Sequence, residues 1–117
     1  MTVYVDNVRI KASVGRYRDR SWCHLLTDDP THEELHELAA RIGLRRSWFQ
    51  RPMAMGRHTP DAWWRGHYDV TEAKRKEAVL VGAVQINFVE WGEKVAEFRA
   101  RAATPDARAE TDTDELP

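Results

Sequence analysis

Gly66-His67-Tyr68-Asp69-Val70-Thr71 decides how this chain is read. Six residues hold an imidazole, a phenol, a carboxylate and a hydroxyl. They lead into Glu72-Ala-Lys-Arg-Lys-Glu-Ala-Val-Leu-Val81, a run of helical character that Gly82 closes. At a helix entrance, unpaired N–H groups and the positive end of the dipole favour an anion. The same residues also make caps. Asp69 with Glu72 three residues on forms an Asp-x-x-Glu box, and Thr71 is the alternative cap. Once Asp69 and Thr71 are occupied by capping, His67 and Tyr68 are left without a structural duty.

Working outward, strands and helices appear by turns. Thr2-Val-Tyr-Val-Asp6 is β-branched and aromatic, so it reads as a strand, and Asp6-Asn7 is a turn pair. Val8, Ile10, Ala12 and Val14 alternate with polar residues, as in a second, edge-like strand. Residues 15–21 form a basic loop. Trp22-Cys-His-Leu-Leu-Thr27 is a buried-strand run ended by Asp28-Asp29-Pro30. On it, Trp22, His24 and Leu26 share one face, and Cys23, Leu25 and Thr27 share the other. Thr31 and Glu34 have capping-box spacing, and Leu35, Leu38, Ala39 and Ile42 then make one apolar helix face that Gly43 ends. Ser47-Trp-Phe-Gln50 reads as a short strand. Residues 51–66 show no periodicity and read as an irregular basic and aromatic loop, the kind that binds something or moves. Val84-Gln-Ile-Asn87 reads as a strand with Val84 and Ile86 inward. Asn87 and Glu90 repeat the cap spacing, and Phe88, Trp91, Val95, Phe98 and Ala102 predict a third helix ending near Ala102.

This alternation predicts a layered α/β fold, a mostly parallel sheet of about four strands with three helices. One domain over residues 1–102 is expected, followed by a disordered acidic tail over 103–117. That tail sets five carboxylates against the single Arg108, a net of −4 that leaves the body at +3. An anionic partner is therefore compatible with the body. No apolar run approaches the roughly 18–20 residues that span a bilayer, so no membrane partner is expected. Met1-Thr-Val-Tyr-Val-Asp6 is not a leader pattern, and the single Cys23 suits a reducing cytoplasm. In parallel sheets ligands bind beyond the carboxyl ends of strands, where Asp6 and residues 67–69 would meet.

Four constellations carry chemistry. His32-Glu-Glu-Leu-His36 matches H-E-x-x-H, in which two imidazoles one turn apart hold zinc. Glu34 is already committed to the cap and no third ligand is evident, so a capped amphipathic helix explains the motif. In the opening stretch His67 is the acid–base candidate, because imidazole gains and loses protons near neutrality. Asp69 would orient it or hold a ribose hydroxyl. The structural alternative makes Asp69 a cap, Tyr68 a core filler and His67 a carbonyl partner. On the Trp22 run, His24 is either a site residue or a hydrogen-bonded core histidine. Cys23 lacks a visible base, so it is no nucleophile. Finally, arginines and rings interleave from Arg45 to Arg65, including Arg46, Trp48, Trp63 and Trp64. They suit a nucleotide or nucleic-acid strand, or they simply anchor and solvate a loop.

Val3-Tyr-Val-Asp-Asn7, Trp22-x-His-Leu25, Glu34-Leu-His36 with Gly43-Leu44, Trp48-Phe-Gln50, and His67-Tyr-Asp-Val-Thr71 with Lys74-Arg75 and Gly82-Ala83 together resemble domain of unknown function 4031. This is a family of small bacterial and phage proteins, and the resemblance covers residues 2–90. It brings no activity. It implies that His24, His36, Gln50, His67, Tyr68 and Asp69 belong to a recurring pattern, and it leaves out His32.

The sequence thus nominates His67, His24 and Asp69 for catalysis, and Asp6, His36, Arg46, Gln50 and Tyr68 for ligand contact. No metal and no cofactor is expected. The first function class is a metal-independent enzyme acting on a phosphorylated or nucleotide-like substrate. The second is a binding module for a nucleotide or nucleic acid, in a phage or host-defence setting, or a protein-interaction domain. A homodimer through exposed tryptophans is a further partner reading.

Overall fold

In the computed structural model, residues 1–103 are described. The β-branched start forms β1 (Val3–Val5), the alternating run forms β2 (Ile10–Val14), and the Trp22 run belongs to a longer β3 (Tyr17–Thr27). The expected basic loop over 15–21 is therefore mostly strand. Only the turn at Gly15 and Arg16 separates β2 from β3, and the arginines of β3 escape detection because that end is solvated on both faces.

This hairpin changes the sheet. A parallel crossover needs a dozen or more residues, and the links between β1, β2 and β3 are too short for one. Both β1 and β2 run antiparallel to β3, with Val5 opposite Leu25 and Ile10 opposite Trp22. β6 (Tyr68–Thr71) also runs antiparallel to β3, with Tyr68 opposite Leu25 and Thr71 opposite Trp22. Since Leu25 and Trp22 each face β6 on one edge, β1 and β2 must lie end to end along the other. β7 (Val84–Gln85) is parallel to β1. The chain is thus a small α+β domain with a mixed, mostly antiparallel sheet, and the expectation of a mostly parallel one is corrected.

Three helices form: α1 (Glu33–Arg41), α2 (Glu72–Leu80) and α3 (Phe88–Ala103). Both α1 and α2 end on glycines with positive φ, Gly43 at 83° and Gly82 at 114°. There Leu44 N–H returns to the Ala39 carbonyl and Ala83 N–H to that of Ala78, closing each last turn. The Asn87 and Glu90 box forms as the spacing predicts, each side chain accepting from the other's backbone N–H. The first box does not. His32 precedes α1 with φ 63° and makes no side-chain cap, while the Asp29 carboxylate accepts from Thr31 and from Glu34 N–H. At α2 the cap is Thr71, which accepts from Lys74 N–H at 3.4 Å. Asp69 sits two residues earlier, in β6, and is not a cap.

The sheet alternation sorts the core. Val3, Val5, Cys23, Leu25, Tyr68 and Val70 face α1 and α2 and pack with Leu35, Leu38 and Ala39. On the reverse face Tyr4, Leu26 and Ile86 meet Trp91 of α3. Ile86 is inward as expected, but Val84 is 48% exposed. Residues 47–50 are not a strand: Arg46–Trp48 is a 3₁₀ turn, after which Gln50 makes one bridge to His67. Residues 51–66 are more ordered than expected. They form a small hairpin, β4 (Met53–Ala54) with β5 (Arg57–His58), then a 3₁₀ segment, Pro60–Arg65. Trp63 and Trp64 of that segment pack on Phe98 of α3, anchoring the loop. That packing buries Trp64 and leaves Trp63 half-buried. The tail expected to be disordered lies, from residue 104 on, outside the described residues.

Candidate functional site

Strand register assembles the site. His24 lies opposite Asp69 on β6, and its carbonyl accepts from Asp6 N–H just beyond β1. Asp6, His24 and Asp69 thus line up across three adjacent strands. His67, two residues before Asp69, shares their face.

Asp6 occupies the break between β1 and β2, where Arg9 adopts φ 52°. The ladder fails there, and the Asp6 carboxylate replaces it. Its Oδ1 accepts from His24 N–H at 2.8 Å, and its Oδ2 takes the His24 ring Nδ1 at 2.7 Å. An irregularity beside β-pairing is a usual way to re-aim a side chain. The Asp6 carbonyl in turn accepts from Arg75 Nε at 2.8 Å, and both residues are buried.

These bonds set the tautomers. The Asp6 carboxylate can only accept, so His24 Nδ1 carries the hydrogen. His67 Nδ1 faces the Arg65 carbonyl at 2.8 Å, so it too carries the hydrogen. In the neutral rings each Nε2 is then a lone pair. The His24 Nε2 stands 3.8 Å, and the His67 Nε2 3.4 Å, from Asp69 Oδ1. The other Asp69 oxygen accepts from Gln50 Nε2. The rings of His24 and His67 meet edge to face, 5.0 Å between centroids. Hydrogen bonding to Asp6 raises the His24 pKa against the opposing effect of burial, with the Asp6 and Asp69 charges adding to the rise. Burial pushes Asp69 upward, but His67, His24 and Gln50 together outweigh it and leave Asp69 below the ordinary carboxylate value.

Both histidines open on a cleft of about 830 Å³ between the sheet and α3. His24, His67 and Asp6 form its floor, and Trp64 and Trp91 stand in its walls. Arg51, Arg65 and Arg99 also line it, and among the described residues Asp6 is its one carboxylate. Trp64 is 7% exposed, and its indole N–H has no partner. Asp69 lines a second hollow on its other side, of about 560 Å³, with Arg20, Trp22, Trp48 and Lys74, and Gln50 lines both.

Five of the eight sequence-nominated residues therefore converge: Asp6, His24, Gln50, His67 and Asp69. The other three gather behind the sheet. Tyr68 is buried, and its hydroxyl meets His36 Nδ1 at 2.7 Å. Burial first, then the charge of Arg46 and the proximity of His32, push the His36 pKa down to about 4. The H-E-x-x-H pair is likewise held by protein groups, since His32 Nε2 sits on the Trp63 carbonyl at 2.7 Å. Cys23 is buried, and its burial raises the thiol pKa. The sequence reading includes Arg51 in the basic, aromatic run but misses Arg99 and the Arg65 carbonyl as parts of the site. No local pattern marks a carbonyl, and the arginines are spread over two distant segments.

The fold and cluster define a small α+β domain that carries two histidines and a carboxylate on one sheet face. The family model described as "Protein of unknown function (DUF4031)" matches residues 3–100, and the chain belongs to that family. No curated protein and no solved structure matches the chain.

Proposed function

We propose that this protein is an enzyme that hydrolyses a phosphorylated, nucleotide-like ligand at the His24–His67–Asp69 centre. The observation that carries this reading is the convergence of His24, His67 and Asp69, whose ligand atoms lie within 4.8 Å of one another, with both histidines lining a cleft that also holds Arg51, Arg65 and Arg99. Arg51, Arg65 and Arg99 would pair with phosphate oxygens, and Trp91 would lie against an apolar or planar part of the ligand. A water at the centre would attack phosphorus. The phosphorus–oxygen ester bond breaks with its electron pair on the leaving oxygen, and that oxygen gains a proton as the water loses one. The cytoplasm remains the proposed setting, in keeping with the free thiol of Cys23.

A second reading rests on the second hollow. Trp22 and Trp48 with Arg20 would stack and pair a nucleotide without chemistry. A thermal-shift screen of nucleoside and sugar phosphates, followed by product analysis for each hit, separates the two. Hydrolysis is expected with the intact chain and is expected to disappear in His67→Asn while binding persists. Binding without turnover by the intact chain supports the second reading, and a flat screen rejects both.

A further inference from the structure

The three convergent atoms pose an electrostatic problem. In the neutral rings two lone pairs face one anionic oxygen, with no donor among them. A cation between them resolves this, either as a proton on a ring or as a metal ion. Distance decides between the two. A charge-assisted N–H···O⁻ bond closes to about 2.7–2.9 Å, whereas the separations here are 3.4 and 3.8 Å. Ligand atoms held about 2.1 Å from one tetrahedral ion lie roughly 3.4 Å apart.

The outer atoms make the same point. Metal-ligating imidazoles generally donate their second ring N–H to a carboxylate or a carbonyl, and ligating carboxylates are themselves hydrogen-bonded. Here His24 Nδ1 is on Asp6, His67 Nδ1 is on the Arg65 carbonyl, and Asp69 Oδ2 is on Gln50. Each prospective ligand thus has one atom aimed inward and the other pinned. The three side chains are 23–36% exposed, so the centre stays open to water. The motif that spells zinc in the sequence has no such arrangement: His32 Nε2 and His36 Nδ1 each already face a protein group.

We propose that His24 Nε2, His67 Nε2 and Asp69 Oδ1 bind a divalent first-row transition-metal ion, with Asp6, the Arg65 carbonyl and Gln50 orienting them. Imidazole with carboxylate suits zinc or iron(II), and three protein ligands leave positions for water. As to what the ion does, this inference rests on the hydrolytic reading: a bound water loses its proton to solvent near neutral pH, and the resulting hydroxide is the attacking oxygen. Binding of the ion does not depend on that reading.

The test is metal analysis of the full chain by mass spectrometry after purification and after incubation with Zn²⁺ or Fe²⁺, with Co²⁺ absorption as a spectroscopic probe. One ion per chain is expected. Asp69→Asn and His24→Ala should lose the ion and the Co²⁺ bands, and His58→Ala, on exposed β5, should keep both. Asp6→Asn leaves all three ligands in place and should weaken affinity about 10–100-fold. Circular dichroism identifies any variant that fails to fold, and Asp6→Asn then carries the test. Less than stoichiometric metal in the intact chain, or equal binding by Asp69→Asn and His58→Ala, overturns the proposal as adventitious binding. Phosphate-ester turnover that survives complete chelation overturns the metal but not the hydrolase. A stoichiometric ion without turnover supports the metal and rejects the hydrolase.

Discussion

β6 carries two histidine environments back to back. On the cleft face His67 and Asp69 meet His24, whose ring lies between two carboxylates and is held above its ordinary pKa. Behind the sheet Tyr68 meets His36, which burial first and then the Arg46 charge push down to about 4, with no carboxylate to oppose them. Both rings are partly buried, and both have a hydrogen-bond partner. The difference lies in the partners' charge, and it separates a polar centre from a packed neutral pair. A histidine's role follows from what faces its nitrogens more than from its depth.

The contrast breaks most sharply at Asp69. Asp69→Asn is expected to cut turnover by about 10²-fold or more while leaving the urea-unfolding free energy within about 1 kcal/mol. Behind the sheet the balance reverses. Tyr68→Ala should cost about 3–5 kcal/mol in the same unfolding experiment, because it empties a site that is 1% exposed. Tyr68→Phe keeps the ring but leaves His36 Nδ1 without its partner, and a loss of about 1 kcal/mol is expected. A smaller step separates Thr71 from Asp69. Thr71→Ala should cost about 0.5–1 kcal/mol through the α2 cap, a loss that Asp69→Asn does not share if Asp69 serves the site alone.

A separate test is pH. The unfolded chain protonates histidine near 6.5, whereas folded His36 resists protonation down to about 4. Between those values the unfolded state holds more protons, so stability rises with pH. The His36 contribution is complete above about 6.5 and fades as pH falls toward 4. Unfolding free energies across that window should slope less in His36→Gln than in the parent chain.

Much of the fold was legible locally. The alternation of Val3 and Val5, the division of the Trp22 strand into two faces, the stripe of α1, and the glycine stops at 43 and 82 all follow from nearest-neighbour physics. The alternation of strands and helices suggests parallel pairing, and the antiparallel hairpin stays hidden because a solvated, arginine-rich strand carries no apolar period to reveal it. Asp69 reads as both a cap and a site residue for a related reason. Its spacing to Glu72 makes a valid cap, and only the pairing of β6 with β3 shows Thr71 in that role and Asp69 turned to the histidines.

By itself, the sequence determined which residues alternate, where helices stop, and that His24 and His67 stand beside strand-like runs. Tertiary structure decided which of them meet. His24 and Asp69 are 45 positions apart in the chain and face each other only through the register of β3 on β6. Asp6 reaches His24 because the β1–β2 edge breaks beside it. A hydrogen-bonded register is a long-range fact, fixed by many backbone bonds at once, and no local pattern of side chains encodes it.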